Sequence, residues 1–223
     1  MKIFIDSAKI EEIENAYSLG IVSGVTTNPT LIAKTGREIK QVISEICKIV
    51  DGDISAEVFS EDFDGMIEEG EILYSLSNKI VLKLPLTKSG LRACKYFSSK
   101  GLKTNVTLCF SANQALLAGI AGATYISPFI GRLDDIGEDG IGLIRDIKNI
   151  YSNYPMIKTQ ILAASIRNID HVFHSASIGA DAATMPLKII SDLYQHDLTD
   201  KGLEIFRKDI LEMKNLSMNI KSS

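Results

Sequence analysis

The chain has 223 residues, of which 45% are hydrophobic and 23% charged, with a formal net charge of −4. That length supports one large domain with a proper core, and the acidic balance argues against non-specific nucleic-acid binding. No apolar run approaches membrane-spanning length, and the N-terminus MKIFIDSAKIEE meets its acidic residues too early for a signal-peptide core, so a cytoplasmic location is expected.

Short β-branched runs alternate with amphipathic stretches along the chain. KIFID (2–6) reads as a strand, followed by a helix with Ile10, Ile13, Ala16 and Tyr17 on one face and Gly20 as its stop. IVSGVTT (21–27) is the second strand, and 38–50 places Ile39, Val42, Ile43, Ile46, Cys47 and Val50 at helical spacing. DISAEVF (53–59) and KIVLKL (79–84) are the next strands, with helices over 61–77 and 88–99. KTNVTLC (103–109) and ATYISPF (123–129) follow, with helices over 111–121 and 139–151. IKTQILAAS (157–165) and ADAATM (180–185) are the last strands, with helices over 167–178 and 187–195.

Eight strand–helix units without a linker predict a single domain, a (β/α)8 TIM barrel over about residues 1–196. The competing open, doubly wound sheet usually carries a glycine-rich phosphate loop after its first strand, and FIDSAK stands there instead. An additional C-terminal helix over about 199–218 has Leu203, Phe206, Ile210, Met213 and Leu216 at three- and four-residue spacing. It lies outside the eightfold count, so it is expected to close the barrel or to pack on another subunit of a homo-oligomer.

Cys47, Cys94 and Cys109 are widely spaced and form no CxxC pair, which suits reduced thiols rather than a disulfide framework. His171 and His174 lie three apart on a helix, but no carboxylate or cysteine cluster accompanies them, so surface or capping roles are expected and no metal.

Parallel barrels build their sites at the C-terminal ends of their strands. Those ends carry Asp6; Thr26, Thr27 and Asn28; Glu57; Lys83; Asn105 and Thr107; Ser127, Phe129 and Arg132; Ser165 and Arg167; and Met185. Each has a plain alternative, such as a helix cap for Asp6, a turn before Pro29 for Asn28 and β-propensity for Thr107. Their convergence on one rim is what needs a function. Lys83 stands out because Val81, Leu82 and Leu84 flank it and an ammonium is costly to desolvate; a lysine so placed either reaches water, pairs with a carboxylate, or serves as an amine nucleophile that forms Schiff bases. An iminium on a ketose withdraws electrons from the adjacent carbon–carbon bond, and a carboxylate, Asp6 or Glu57, can then take the β-hydroxyl proton in a retro-aldol step. Arg132 and Arg167 suit a phosphate, because guanidinium is planar and always charged. The lysine is its own electron sink, so no cofactor is expected.

The segments VTTNPTLI (25–32), VLKLPLT (81–87), TNVTLCFS (104–111), SPFIGRLDD (127–135) and LAASIRN (162–168) closely resemble transaldolase, in the short form grouped with fructose-6-phosphate aldolases. The resemblance spans nearly the whole chain. It implies Lys83 as the Schiff-base lysine, Asp6 as acid and base, and Glu57 with Thr107 as holders of a catalytic water. It also implies Asn28 and Asn105 as binders of substrate hydroxyls, Arg132, Ser165 and Arg167 as the phosphate site, sugar-phosphate substrates, and a homo-oligomer that can reach a decamer of two pentameric rings. Thr26, Ser127 and Phe129 complete the expected substrate-binding rim. In the aldolases a tyrosine stands at the position of Phe129, a glutamine at Glu57 and an apolar residue at Asn105, so this chain follows the transaldolase pattern. Three alternatives remain: release of free dihydroxyacetone, a deoxyribose-phosphate type of aldolase, and a non-catalytic sugar-phosphate-binding barrel.

Overall fold

The computed structural model describes residues 1–220, and their side chains through Met213. Eight strands, β1 (Lys2–Asp6), β2 (Val22–Thr26), β3 (Asp53–Glu57), β4 (Ile80–Pro85), β5 (Thr104–Cys109), β6 (Tyr125–Pro128), β7 (Gln160–Ala163) and β8 (Ala182–Met185), pair in chain order. Every pairing is parallel, and β8 returns to β1, closing the barrel. The helices are α1 (Ile10–Ser18), α2 (Pro29–Lys34), α3 (Ile39–Ile49), α4 (Phe63–Tyr74), α5 (Lys88–Ser99) and α6 (Ala112–Ala121), then α7 (Ile130–Asp134), α8 (Gly140–Ser152), α9 (Ile169–Ile178), α10 (Leu187–Asp192) and α11 (Asp197–Ile220). The TIM barrel and the additional C-terminal helix thus stand as the sequence pattern predicts.

Local chemistry explains where the helices begin. Asn28, Asp62, Thr87, Ser111, Asp139 and Asn168 each accept a hydrogen bond from the backbone N–H three residues on, capping α2, α4, α5, α6, α8 and α9. Gly122 and Gly179 end α6 and α9 in the left-handed conformation, both at φ 89°, where a side chain would be strained. Two short helices at the barrel mouth, α2 and α7, lie inside stretches that periodicity reads as loops; one or two turns are too short to show a repeat. The last strands are also shorter than their apolar runs, with β7 beginning at Gln160 rather than Ile157.

Alternation along each strand sorts side chains into two sets. Outward residues such as Ile5, Val25, Leu82, Leu84, Val106, Ala183 and Met185 join the helix faces in the main hydrophobic layer. Phe4, Val81, Tyr125, Leu162 and Ala182 form a separate cluster inside the barrel. Gly24 lies across from Phe4, and a Cβ there would come within 2.8 Å of the Phe4 ring, so β2 gives up a side chain to let the phenylalanine fill the interior.

Two compact units are resolved, Met1–Ile190 and the segment beginning at Ser191. On α11, Leu203, Phe206, Ile210 and Met213 are exposed; Leu216, expected on the same stripe, lies outside the residues whose side chains are described. Among the described residues no helix is long and apolar enough to cross a membrane.

Candidate active site

The residue two places beyond each interior apolar side chain points into the mouth of the barrel. Phe4 is followed by Asp6, Val81 by Lys83, Tyr125 by Ser127, and Ala182 by Thr184. These four line one cavity of about 240 Å³, together with Thr26, Asn28, Phe129, Arg132, Ser165 and Arg167. A second cavity of about 380 Å³ opens on the other side of Lys83 and shares Asn28, Phe129 and Arg132 with the first, adding Glu57 and Leu108.

Lys83 is 4% exposed. Its Nζ lies 2.9 Å from Glu57 Oε2 and donates to the Thr27 carbonyl at 3.0 Å. Lys83 pairs with a carboxylate inside the barrel rather than reaching to water, an arrangement that leaves its use as a nucleophile open. The register makes the pairing: Glu57 on β3 sits directly beside Lys83 on β4, and Asn105 on β5 beside Lys83 on its other edge.

Asp6 is held by Thr26, whose hydroxyl donates to Oδ1 at 2.7 Å. The Thr26 and Thr184 hydroxyls are 2.6 Å apart. A hydroxyl has one proton, so with Asp6 ionised and Thr26 donating to it, Thr184 is the donor to Thr26. The three residues form a directed chain ending on the carboxylate. Burial pushes the Asp6 pKa up from its ordinary value, while the Lys83 charge and the Thr26 hydrogen bond pull it back only in part.

Beneath the cavity, Ser127 Oγ donates to Asn105 Oδ1 at 2.7 Å, and Asn105 Nδ2 donates to Ser55 Oγ at 3.1 Å. Asn105 is fully buried and does not line either cavity; its amide organises Ser127 and Ser55, leaving one N–H uncommitted. Thr107 is also fully buried, and its hydroxyl has no partner among the described residues. Asn28 serves twice: its Oδ1 caps α2 through Leu31 N–H, and its remaining amide group lies at the wall of both cavities.

Two residues at the mouth have left-handed backbone, Leu108 (φ 60°) and Ser165 (φ 59°). Such strain costs on the order of 1–2 kcal/mol per residue. Leu108 lies at the irregularity in β5–β6 pairing, and Ser165 stands two residues past the end of β7, so both bend the chain where it turns over the cavity. Arg132 and Arg167 are exposed above it. The Arg132 guanidinium lies over the Phe129 ring at 5.2 Å, and Phe110 meets the same ring edge-on at 5.9 Å.

Two positions differ from their sequence reading. Met185 is the last residue of β8 but faces outward and is wholly buried in the hydrophobic layer; Thr184 takes the inward place. The signal was available, because strand alternation puts Thr184 on the side of Ala182. Of the surface and capping roles expected for it, His171 leaves the surface: it is buried, with Nε2 2.9 Å from Asp134 Oδ2, and Nδ1 accepts from Arg167 N–H at 3.3 Å just ahead of α9, a capping contact. His174 is exposed. Cys109 is buried and its thiol is pushed up to about 12, which keeps it inert.

The chain matches the family model described as Transaldolase/Fructose-6-phosphate aldolase over residues 3–223. It is 58% identical over 209 residues to a probable transaldolase of Caldicellulosiruptor saccharolyticus, covering 94% of this chain and 96% of that protein. It is 56% identical over 214 residues to a probable transaldolase of Carboxydothermus hydrogenoformans, covering 96% of this chain and all of that protein. A probable transaldolase of Clostridioides difficile is 57% identical over 209 residues, covering 94% of this chain and 96% of that protein.

Proposed function

From a chain that belongs to the transaldolase/fructose-6-phosphate aldolase family, we propose a transaldolase that moves a dihydroxyacetone unit from a ketose phosphate to an aldose phosphate through a Schiff base on Lys83. The donor is fructose 6-phosphate or sedoheptulose 7-phosphate, and the acceptor erythrose 4-phosphate or glyceraldehyde 3-phosphate, as in the pentose phosphate pathway. One observation carries this reading: a buried lysine paired with Glu57 shares a cavity with a carboxylate of raised pKa and two exposed arginines.

Glu57 takes a proton from the Lys83 ammonium across their 2.9 Å contact, and the freed amine attacks C2 of the ketose. Water leaves to form the iminium, with the unpartnered Thr107 hydroxyl and Glu57 holding it. Asp6 accepts the C4 hydroxyl proton, the C3–C4 bond breaks, and the aldose phosphate leaves. Burial makes Asp6 a stronger base than a solvated carboxylate. The enamine left on Lys83 attacks the acceptor aldehyde, Asp6 returns its proton, and hydrolysis releases the new ketose phosphate. Arg132, Ser165 and Arg167 bind the phosphate, and Ser127 with the free N–H of Asn28 orients substrate hydroxyls.

Phe129 separates transfer from release. Its ring borders both cavities and offers no hydroxyl to deliver a proton to the enamine. The exposed stripe of α11 supports assembly into a homo-oligomer.

The test is an assay with fructose 6-phosphate, with and without erythrose 4-phosphate, in the parent and in Phe129→Tyr. The parent should form sedoheptulose 7-phosphate and little free dihydroxyacetone. Phe129→Tyr should shift the ratio toward dihydroxyacetone. Release by the parent at the rate of transfer would make it an aldolase instead.

A further inference from the structure

The two arginines of the mouth sit on different segments, Arg132 on α7 and Arg167 in the turn between β7 and α9. Both are exposed, so their separation is set by the segments that carry them. Those segments are laced by backbone. Phe129 bridges Ala164, Ile130 N–H donates to Ala164 O at 3.1 Å, and Gly131 N–H donates to Ser165 O at 3.1 Å. Gly131 is required for this approach, because a Cβ there would lie 2.2 Å from the Ser165 carbonyl oxygen and 2.7 Å from Arg167 Cγ.

Two side-chain ties extend the lacing. Arg167 Nη2 donates to Asp135 Oδ2 at 2.8 Å, but both partners are about half exposed, and such pairs contribute little. The other tie is anchored on a buried imidazole, although its carboxylate partner Asp134 is exposed. His171, on the first turn of α9, joins Asp134 at the end of α7 to the backbone N–H of Arg167. The contacts define the tautomer. Nδ1 accepts, so its lone pair is free of a proton, and Nε2–H donates to Asp134. The second Asp134 oxygen accepts from Gly140 N–H at 3.1 Å, which anchors the carboxylate to the start of α8. His171 N–H donates to Asn168 Oδ1 at 2.9 Å, which fixes the imidazole's own backbone.

We propose that His171 is a positioning residue of the phosphate site: through its neutral imidazole it holds the end of α7 and the Arg167 backbone in one frame, and so sets how Arg132 and Arg167 meet a sugar phosphate. The inference rests on the reading of those arginines as phosphate ligands. It adds a residue that touches no substrate yet governs preference for phosphorylated acceptors.

The test measures KM and kcat at saturating fructose 6-phosphate with erythrose 4-phosphate and with unphosphorylated erythrose. His171→Leu removes both hydrogen bonds and is expected to raise KM for erythrose 4-phosphate about five- to tenfold. KM for erythrose should change less than about twofold. His171→Gln keeps an acceptor oxygen and supplies N–H donors on an adjacent nitrogen, so it can replace both bonds of the neutral imidazole and should restore the preference. If His171→Leu does not fold, Asp134→Asn gives the second reading. It keeps a single acceptor oxygen for the two donors, and should raise KM for the phosphorylated acceptor about threefold. Equal changes for both acceptors, or none, would overturn the proposal while leaving the phosphate site standing, provided Arg167→Ala still discriminates between them. If Arg167→Ala weakens both acceptors alike, the phosphate site is wrong and the role of His171 falls with it.

Discussion

The barrel interior has two halves with the same backbone and opposite chemistry. At the N-terminal end of the strands, Phe4, Val81, Tyr125, Leu162 and Ala182 pack as a closed layer. Phe4 and Tyr125 meet edge-on at 5.9 Å. Below them the Tyr125 hydroxyl donates to Asp53 at 2.7 Å, and Lys103 pairs with the same carboxylate at 2.7 Å. Two residues further along each strand, the layer becomes Asp6, Lys83, Ser127 and Thr184, open to a cavity. The lower layer has its polar groups answered by one another. The upper layer keeps groups in reserve: a Thr107 hydroxyl without a partner among the described residues, an Asn28 amide half used, and the exposed Arg132. On the proposed function, stability is concentrated below and reactivity above, about 7 Å apart along a strand.

That division can be broken from either side. The largest effect should come from Lys83→Ala, which removes the amine. Turnover should vanish, and borohydride with fructose 6-phosphate should no longer add a three-carbon mass, while circular dichroism still reports a folded barrel. A trapped adduct on another lysine would refute the assignment. The mirror experiment is Phe4→Ala below, expected to cost about 3–5 kcal/mol in denaturant unfolding because a buried ring leaves a cavity. Its effect on kcat, measured where the variant is folded, should be small. A large loss of kcat at full folding would mean that the two halves are not separable.

Smaller changes sharpen the comparison. Thr184→Val removes the donor that orients Thr26 toward Asp6, and kcat should fall about three- to tenfold with KM for erythrose 4-phosphate unchanged. Thr184→Ser should recover the rate, and failure to do so would make Thr184 a packing residue. The mildest effect is on stability. The Asp6 pKa is raised in the folded chain, so the folded state holds that proton more tightly than the unfolded state. The stabilisation is complete below the unfolded pKa and is lost as pH rises through the folded pKa. Neutral pH lies above the unfolded pKa, so there that stabilisation is no longer complete. Asp6→Asn should melt higher than the parent near pH 7, with the gap closing at about pH 3. A lower melting temperature at neutral pH would show that Asp6 is a structural partner of Thr26 and Lys83.

Much of the fold was legible because repeating patterns are local. Apolar runs of five or six residues alternating with helical spacing, and a helix stop such as Gly20, are properties of short segments. The eightfold count, the polar strand ends and the motifs around Lys83 followed from them. Short helices α2 and α7 did not, since their one or two turns carry no period. Reading only the final residue of each strand also chose Met185 over Thr184, because the last position and the inward position coincide in β1 but not in β8.

By itself the sequence determined that eight strand–helix units alternate, that one lysine sits in an apolar strand, and that carboxylates, amides and arginines end the strands. Tertiary structure decided which of these meet. Strand register put Glu57 rather than solvent against Lys83. Barrel closure brought Thr184 to Thr26 across 158 residues, and the packing of α7 on the β7–α9 turn buried His171 between Asp134 and Arg167. The physical reason is that pattern along a chain reports the face on which a residue lies, whereas a hydrogen bond depends on ångström distances between segments that only closure of the sheet sets.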